Sequence, residues 1–174
     1  HAITKIYRAS YNMFAACGIL FNHESPRRHH GFVTQKVAYA AACAKLGVKT
    51  SEHLNEEGEP IVKGGKVALG NLEAKRDFTD VRDIVYAYWL ATEKCAPGET
   101  YNICSGKTHS IQEVLDKLLS LSTNIEIKVE QDPKRMRPSD VLLLSGDSSK
   151  FRQVTGWEPK IDYLNQTLED MLNY

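Results

Sequence analysis

No run of ~20 consecutive apolar residues occurs in the chain, so the sequence predicts no transmembrane helix. No basic flank, apolar core and small-residue cleavage site follow one another at its start, so no signal peptide is expected. Neither sign of charge dominates, because 22 Lys and Arg balance 22 Asp and Glu. A net charge of zero removes the usual reason to expect nucleic acid or an anionic membrane as partner. Cysteine is sparse and never forms a C-x-x-C pair. Cys17, Cys43, Cys95 and Cys104 lie far apart in apolar stretches. That pattern reads as buried free thiols in a reducing cytoplasm rather than as disulfides or zinc ligands. There is no G-x-G-x-x-G, no P-loop and no G-x-S-x-G, so no local motif cradles a dinucleotide or presents an elbow serine. Internal repeats and low-complexity segments are missing too.

What is present is 174 residues of ordinary globular composition, enough for one domain with its own core. The chain opens on a helical stretch through Ile6–Tyr11 with no convincing N-cap before it, as a fragment of a longer protein would. Ala15–Phe21 is a short apolar run that reads as a buried parallel strand. The polar cluster Asn22-His23-Glu24-Ser25-Pro26 follows at its carboxyl end, where open α/β sheets bind ligands. Phe32–Leu46 is an Ala-rich helix ending at Gly47. Residues 48–65 are polar and Gly-rich, and are expected to be a surface insertion or lid. Lys66–Leu69 reads as a short strand. Thr79 or Asp80 caps a helix over Val81–Lys94, with Val81, Ile84, Val85, Tyr88, Trp89 and Thr92 as its apolar stripe. A strand at Thr100–Cys104 precedes Ser110-Ile-Gln-Glu113, a capping box that opens a helix to about Leu121. Ile125–Val129 alternates as a strand does, and Val141–Leu144 is a further apolar run. Ser148 caps a short helix that stops at Gly156, and Tyr163–Leu172 is a last amphipathic helix. Alternating strands and helices make the chain α/β.

Three constellations carry polar chemistry. Asn22–Arg28 offers an amide, an imidazole, a carboxylate and two guanidiniums, and arginine forks suit phosphate oxygens. It reads equally as a solvated loop. His29-His30 with His23 and Glu24 matches no regular metal-ligand spacing, so no metal site is expected. Lys75–Asp83 is dense in charge ahead of a helix. Asp80, Arg82 and Asp83 fit a helix cap with local ion pairs, which leaves Arg76 freer to meet an anion. In Arg137-Pro-Ser-Asp140 the proline fixes the backbone, so an Arg suited to phosphate and an Asp suited to ribose hydroxyls sit at set spacing. A turn with an internal ion pair explains it as well. Composition and spacing end at an α/β domain with an anionic ligand.

Several segments also carry a resemblance. They are Gly18–Arg28 with Phe32-Val-Thr-Gln-Lys36, Leu69–Asp77, Arg137–Asp140, Gly146-Asp147 and Thr155–Pro159. In order along the chain, they resemble the GDP-mannose 4,6-dehydratase branch of the extended short-chain dehydrogenase/reductase superfamily. Arg76–Asp83 and Tyr101–Gly106 also resemble the sister GDP-4-keto-6-deoxymannose reductases, while Glu24-Ser-Pro-Arg-Arg28 favours the dehydratases. The resemblance implies the carboxyl-terminal part of such a fold. Residues 1–31 would end a partial Rossmann sheet, and 32–174 would form a small α/β sugar-nucleotide-binding region. It implies NADP as cofactor, GDP-mannose or a related GDP-sugar as substrate, and a homo-oligomer in full-length form. The implied reaction takes hydride from C4 of the mannose ring, eliminates water across C5 and C6, and returns the hydride at C6. Lys5 would be catalytic, as the lysine of a Tyr-x-x-x-Lys pair in which His1 stands at the tyrosine position. Lys5, Asn22, His23, Glu24 and Arg28 would serve the cofactor. Asn22, Val33, Lys36, Arg76, Arg137 and Asp140 would bind substrate. A chain holding only these parts is expected to be catalytically incomplete. A non-catalytic nucleotide-sugar-binding remnant is the alternative of another class.

Overall fold

The computed structural model describes residues 1–122, 127–135 and 141–174, so Arg137 and Asp140 lie outside the described residues. Helix α1 (Ala2–Tyr11) has no side-chain cap and ends where Asn12 turns left-handed at φ 50°. An extended stretch follows in two pieces, β1 (Cys17–Leu20) and β2 (Asn22–Glu24). Then come α2 (Val33–Lys45), β3 (Val62–Lys63), β4 (Lys66–Leu69), β5 (Lys75–Asp80) and α3 (Val81–Lys94). The chain continues through β6 (Thr100–Ile103), β7 (Thr108–Ser110), α4 (Ile111–Leu121), β8 (Lys128–Gln131) and β9 (Leu143–Leu144). It ends with α5 (Ser149–Thr155), a π turn at Tyr163–Thr167 and α6 (Leu168–Asn173).

Strand β5 ties the architecture together. Its second half pairs in parallel with β2, setting Asn22 beside Phe78 and Glu24 beside Asp80. Its first half pairs antiparallel with β7 and parallel with β9. Strands β1 and β6 form a separate parallel pair, and β3, β4 and β8 a third sheet. Two apolar clusters result. One, with Ile84, Ala87, Leu90, Ile103, Phe151 and Trp157, joins α3, β6 and α5. The other packs α2, α4 and α6 against β4 and β5 through Val37, Ala41, Leu69, Phe78, Leu118 and Leu168. Ala38, Ala40 and Ala41 are at most 1% exposed, and their small side chains let α2 sit close to its neighbours.

Buried polar groups fix the joints. The Asp77 carboxylate, fully buried on β5, accepts from Ser105 N at 2.8 Å, Ser105 Oγ at 2.6 Å and Gly106 N at 2.8 Å. Asp80 caps α3 by accepting from Arg82 N at 2.8 Å, and also accepts from Arg82 Nε and Nη2 and from Thr167 Oγ1. Burial raises its carboxyl pKa, and the hydrogen bonds from Arg82 and Thr167 outweigh that and hold it below the ordinary value. The capping box forms as expected: Ser110 Oγ accepts from Glu113 N, and Glu113 Oε2 accepts from Ser110 N, both at 3.0 Å.

Several expectations need correction. The run over 15–21 is not one buried strand. Its central Ile19 is half exposed, and the chain changes partner at Phe21, leaving β6 for β5. Asn22–Glu24 is therefore strand rather than loop. Lys75–Asp80, read as a charged approach to a helix, is the central strand, its two carboxylates taken up by Ser105 and Gly106 and by Arg82 and Thr167. Of the apolar stripe expected on α3, Ile84 is buried but Val85, Tyr88 and Trp89 are exposed, and Asp83, Ala87 and Leu90 are buried beside Ile84 instead. Asp83 decides this, because its carboxylate accepts from Lys160 N and Ile161 N while its carbonyl accepts from the Trp157 indole. Residues 48–65, expected as a surface insertion or lid, carry local structure of their own. Ser51 exchanges hydrogen bonds with Val62, Ile61 and Val62 are buried, and Gly64-Gly65, both at positive φ, close the β3–β4 hairpin. Ser148 does not cap α5 with its side chain. Its hydroxyl donates to Cys104 O, and Asp147 accepts from Ser149 N instead. The cysteines are free thiols, buried at 43, 95 and 104. No helix among the described residues is long and apolar enough to cross a membrane.

Replacing Asp77 by Ala strands its backbone donors in a dry joint. The Asp77→Ala chain should lose on the order of 3 kcal/mol of unfolding free energy in a urea titration. A loss below about 0.5 kcal/mol would remove this joint from the account.

Candidate functional site

Two polar regions are built around α2 and β2. The first is an open cavity of about 460 Å³ lined by Lys36 of α2, by Asn55, Glu57, Glu59, Pro60, Ile61, Lys63 and Gly64, by Lys66 and Ala68 of β4, and by Glu130, Asp132 and Arg135. Lys36 is only 6% exposed. Burial pushes its ammonium pKa down and the Arg135 guanidinium pushes it further, while Glu56 and Glu57 pull it back. Arg135 is oriented by Asp132 at 3.4 Å and Glu57 at 3.9 Å. Gly70 makes room for it, because a Cβ there would stand 2.9 Å from the Arg135 carbonyl oxygen. The lining carries Lys63 and Lys66 as well, and the carboxylates of Glu57, Glu59, Glu130 and Asp132 stand among these cations. Asn55 shapes the wall by accepting from Glu57 N and Glu59 N.

The second region is the carboxyl end of β2. Asn22 is half-buried, and its carbonyl accepts from Thr79 Oγ1 at 3.3 Å. The His23 Nδ1 lies 2.9 Å from the Phe21 carbonyl. Glu24 is 1% exposed and accepts from Thr34 Oγ1 at 2.6 Å. Arg28 reaches Glu24 at 3.5 Å and lies over the Phe32 ring, 3.5 Å from its centroid. Glu24 and the ring together set the guanidinium's direction. Burial raises the Glu24 pKa, and Thr34, Arg28 and His23 oppose this without cancelling it.

The fold thus brings Lys36 to Arg135, Arg28 to Glu24, and Asn22 to Thr79. Val33 is half-buried and packs against the larger apolar cluster. Arg76 donates to Lys75 O at 2.9 Å and to Val141 O at 2.6 Å, which lays it against the chain just after residues 136–140. Both of these hydrogen bonds use its Nη1. Lys5 is exposed on α1, a helix with no buried residue, away from these clusters in sequence and in packing. The sequence reading missed Arg135 and the acidic wall at Glu57. Arg135 sits three residues after Asp132, a pairing too common to mark a site. Among the described residues no group of three or more His, Cys, Asp or Glu could hold a metal ion.

A carboxyl whose folded pKa is raised loses stabilising influence as pH climbs from its unfolded value through its folded one. Glu24 therefore weighs against folding as it ionises. Glu24→Gln keeps an acceptor for Thr34 and does not ionise. The variant should show a smaller fall in Tm between pH 4.5 and pH 7 than the parent chain. An identical pH profile would show that Glu24 does not titrate as its surroundings dictate.

Known proteins share the sequence pattern and the fold of this chain. A family model described as GDP-mannose 4,6 dehydratase matches residues 1–171. GDP-mannose 4,6 dehydratase 2 of Arabidopsis thaliana is 38% identical over 94% of this chain, and GDP-mannose 4,6 dehydratase of Homo sapiens is 34% identical over 90%. The match spans 40% and 43% of those relatives' lengths, so the chain corresponds to well under half of each. Among solved structures, RMD from Pseudomonas aeruginosa complexed with NADPH superposes with a TM-score of 0.83 at 24% identity, over 99% of this chain and 52% of that one. The dTDP-glucose 4,6-dehydratase from Bacillus anthracis in complex with NAD gives 0.75 at 18% identity, over 99% and 47%. These likenesses carry the fold, that of a part of an extended short-chain dehydrogenase/reductase. The sequence match carries the kinship, and the chain belongs to the GDP-mannose 4,6-dehydratase family.

Proposed function

We propose that this chain is the sugar-nucleotide-binding portion of an NADP-dependent GDP-mannose 4,6-dehydratase, a lyase that forms GDP-4-keto-6-deoxymannose. The observation that carries the reading is the cavity where Lys36 and Arg135 converge, in a chain matched to that family over nearly its whole length. Lys36 and Arg135 hold the diphosphate, with Val33 along the nucleotide. Arg76, with Arg137 and Asp140 in the neighbouring segment, holds the remaining phosphate and ribose oxygens. Asn22 contacts the diphosphate from the strand end. Residues 48–65 serve as a wall that closes over the substrate.

The nicotinamide dinucleotide fits the carboxyl edge of the parallel pairs β1–β6 and β2–β5, the usual place for such a ligand. Asn22 and His23 stand there half-buried. Arg28 serves that edge as a cation, and Glu24 acts by holding Arg28. When bound, NADP supplies the hydride acceptor and donor. Lys5 places a positive charge that favours the deprotonated form of an acid–base group beside it. The 174 residues hold no glycine-rich dinucleotide loop, so the chain by itself is catalytically incomplete, and the full-length enzyme is a homo-oligomer that works in the cytoplasm.

Calorimetric titration tests this reading, with dTDP-glucose beside GDP-mannose. GDP-mannose should bind in preference, and Lys36→Met should weaken it about tenfold or more, equivalent to roughly 1.4 kcal/mol. No turnover of GDP-mannose should occur with NADP. Equal binding of both nucleotide sugars, or full affinity in the Lys36 variant, overturns the assignment of the cavity. Turnover by this chain overturns catalytic incompleteness.

A further inference from the structure

A second cavity, of about 570 Å³, opens on another face of α2 and shares no lining residue with the first. Lys36 and Gln35 are neighbours in sequence, but a helix turns about 100° per residue, so they address different spaces. Arg27, Arg28, His29 and His30 enter this cavity from the turn after β2, Gln35 from α2, and His53 from the 48–65 segment. None of its lining residues is Asp or Glu. Its volume falls within the usual size of small-molecule sites.

Its polar atoms are left waiting. Gln35 is only 6% exposed, and its Oε1 has no hydrogen-bond partner among the described residues. The His30 Nδ1 is likewise buried and unpartnered. A buried amide oxygen without a partner is destabilising, and a ligand hydroxyl would satisfy it. The rings of His30, His53 and Tyr39 gather at centroid distances of 4.5, 5.1 and 5.2 Å and form an aromatic wall. Arg28 is already oriented by Glu24 and Phe32, and Arg27 is exposed at the mouth.

We propose that this cavity binds a small phosphorylated polyol, of the sugar-phosphate class, independently of the nucleotide-sugar cavity. Arg27, with the histidines of the same turn, takes the phosphate. A ligand hydroxyl donates to Gln35 Oε1, and the carbon skeleton lies on the His30, His53 and Tyr39 rings. A metal does not fit this donor set, because no group of three ligating side chains forms among the described residues. The neighbouring cations call for an anion, and the orphaned acceptor calls for a donor on the same molecule.

The test is calorimetry on the whole chain with glucose 6-phosphate, ribose 5-phosphate and glycerol 3-phosphate, and with glucose and inorganic phosphate as controls. At least one phosphorylated polyol should bind more tightly than either control. Arg27→Ala, at an exposed position that leaves folding intact by circular dichroism, should weaken it about tenfold. Gln35→Leu should weaken it more than about fivefold and leave inorganic phosphate unchanged. Saturating GDP-mannose should not displace it, whether or not GDP-mannose occupies the first cavity. Failure of all three compounds to bind overturns the proposal, as does an Arg27→Ala chain with full affinity. Displacement by NADP would assign the cavity to the cofactor and overturn it equally.

Discussion

A single buried carboxylate holds the two halves of this chain in register. Asp77 lies at the middle of β5 with no exposure, and its oxygens accept from the backbone and hydroxyl donors of Ser105 and from Gly106. It joins the strand that pairs with β2 to the turn that leaves β6. The β1–β6 pair, with α3 and α5 behind it, is thereby fixed against the sheet that carries the polar strand end. A buried charge is tolerable only when its hydrogen bonds are complete, and here the turn after β6 completes them with two main-chain donors and the Ser105 hydroxyl.

The same logic repeats along β5 and its neighbour. Glu24 and Asp80 stand side by side on paired strands, both 1% exposed. Each is neutralised or satisfied locally. Asp80 is held ionised by Arg82 and Thr167, with Arg82 also reaching Asp170 at 2.7 Å. Glu24 is tied to Thr34 and leans on Arg28, and burial keeps its pKa high. The opposite directions of the two shifts let adjacent carboxyls coexist in a dry environment. A cost remains on the α2 side: burial and the Arg135 guanidinium disfavour the Lys36 charge in one cavity, and Gln35 Oε1 has no partner among the described residues in the other. Polar groups the fold does not satisfy mark the places where it meets something else.

Much of this was legible from local sequence. The capping box at Ser110 and Glu113, the cap at Asp80 and the stop at Gly156 are short-range devices, complete within a few residues, and they form as read. The hydrophobic stripe of α3 was misread because periodicity reports which residues are apolar, not which face finds a partner. The indole of Trp157 and the backbone of Lys160 and Ile161 lie more than seventy residues downstream, and they choose the face bearing Asp83. Strand β5 was missed for a related reason. Its pattern, Lys-Arg-Asp-Phe-Thr-Asp, is polar enough for a loop and becomes a buried strand only because remote donors receive its carboxylates.

The sequence by itself determined the α/β alternation, the bounds of α3 and α4 and the ordered motif segments that tie the chain to its family, because each is written in neighbouring residues. Only the tertiary structure decided where the charges meet. Arg135 joins Lys36 across about a hundred residues, and Arg76 comes to lie against Val141. His53 reaches the turn after β2. Such meetings depend on which elements pack together, and packing is a property of the whole core rather than of any segment.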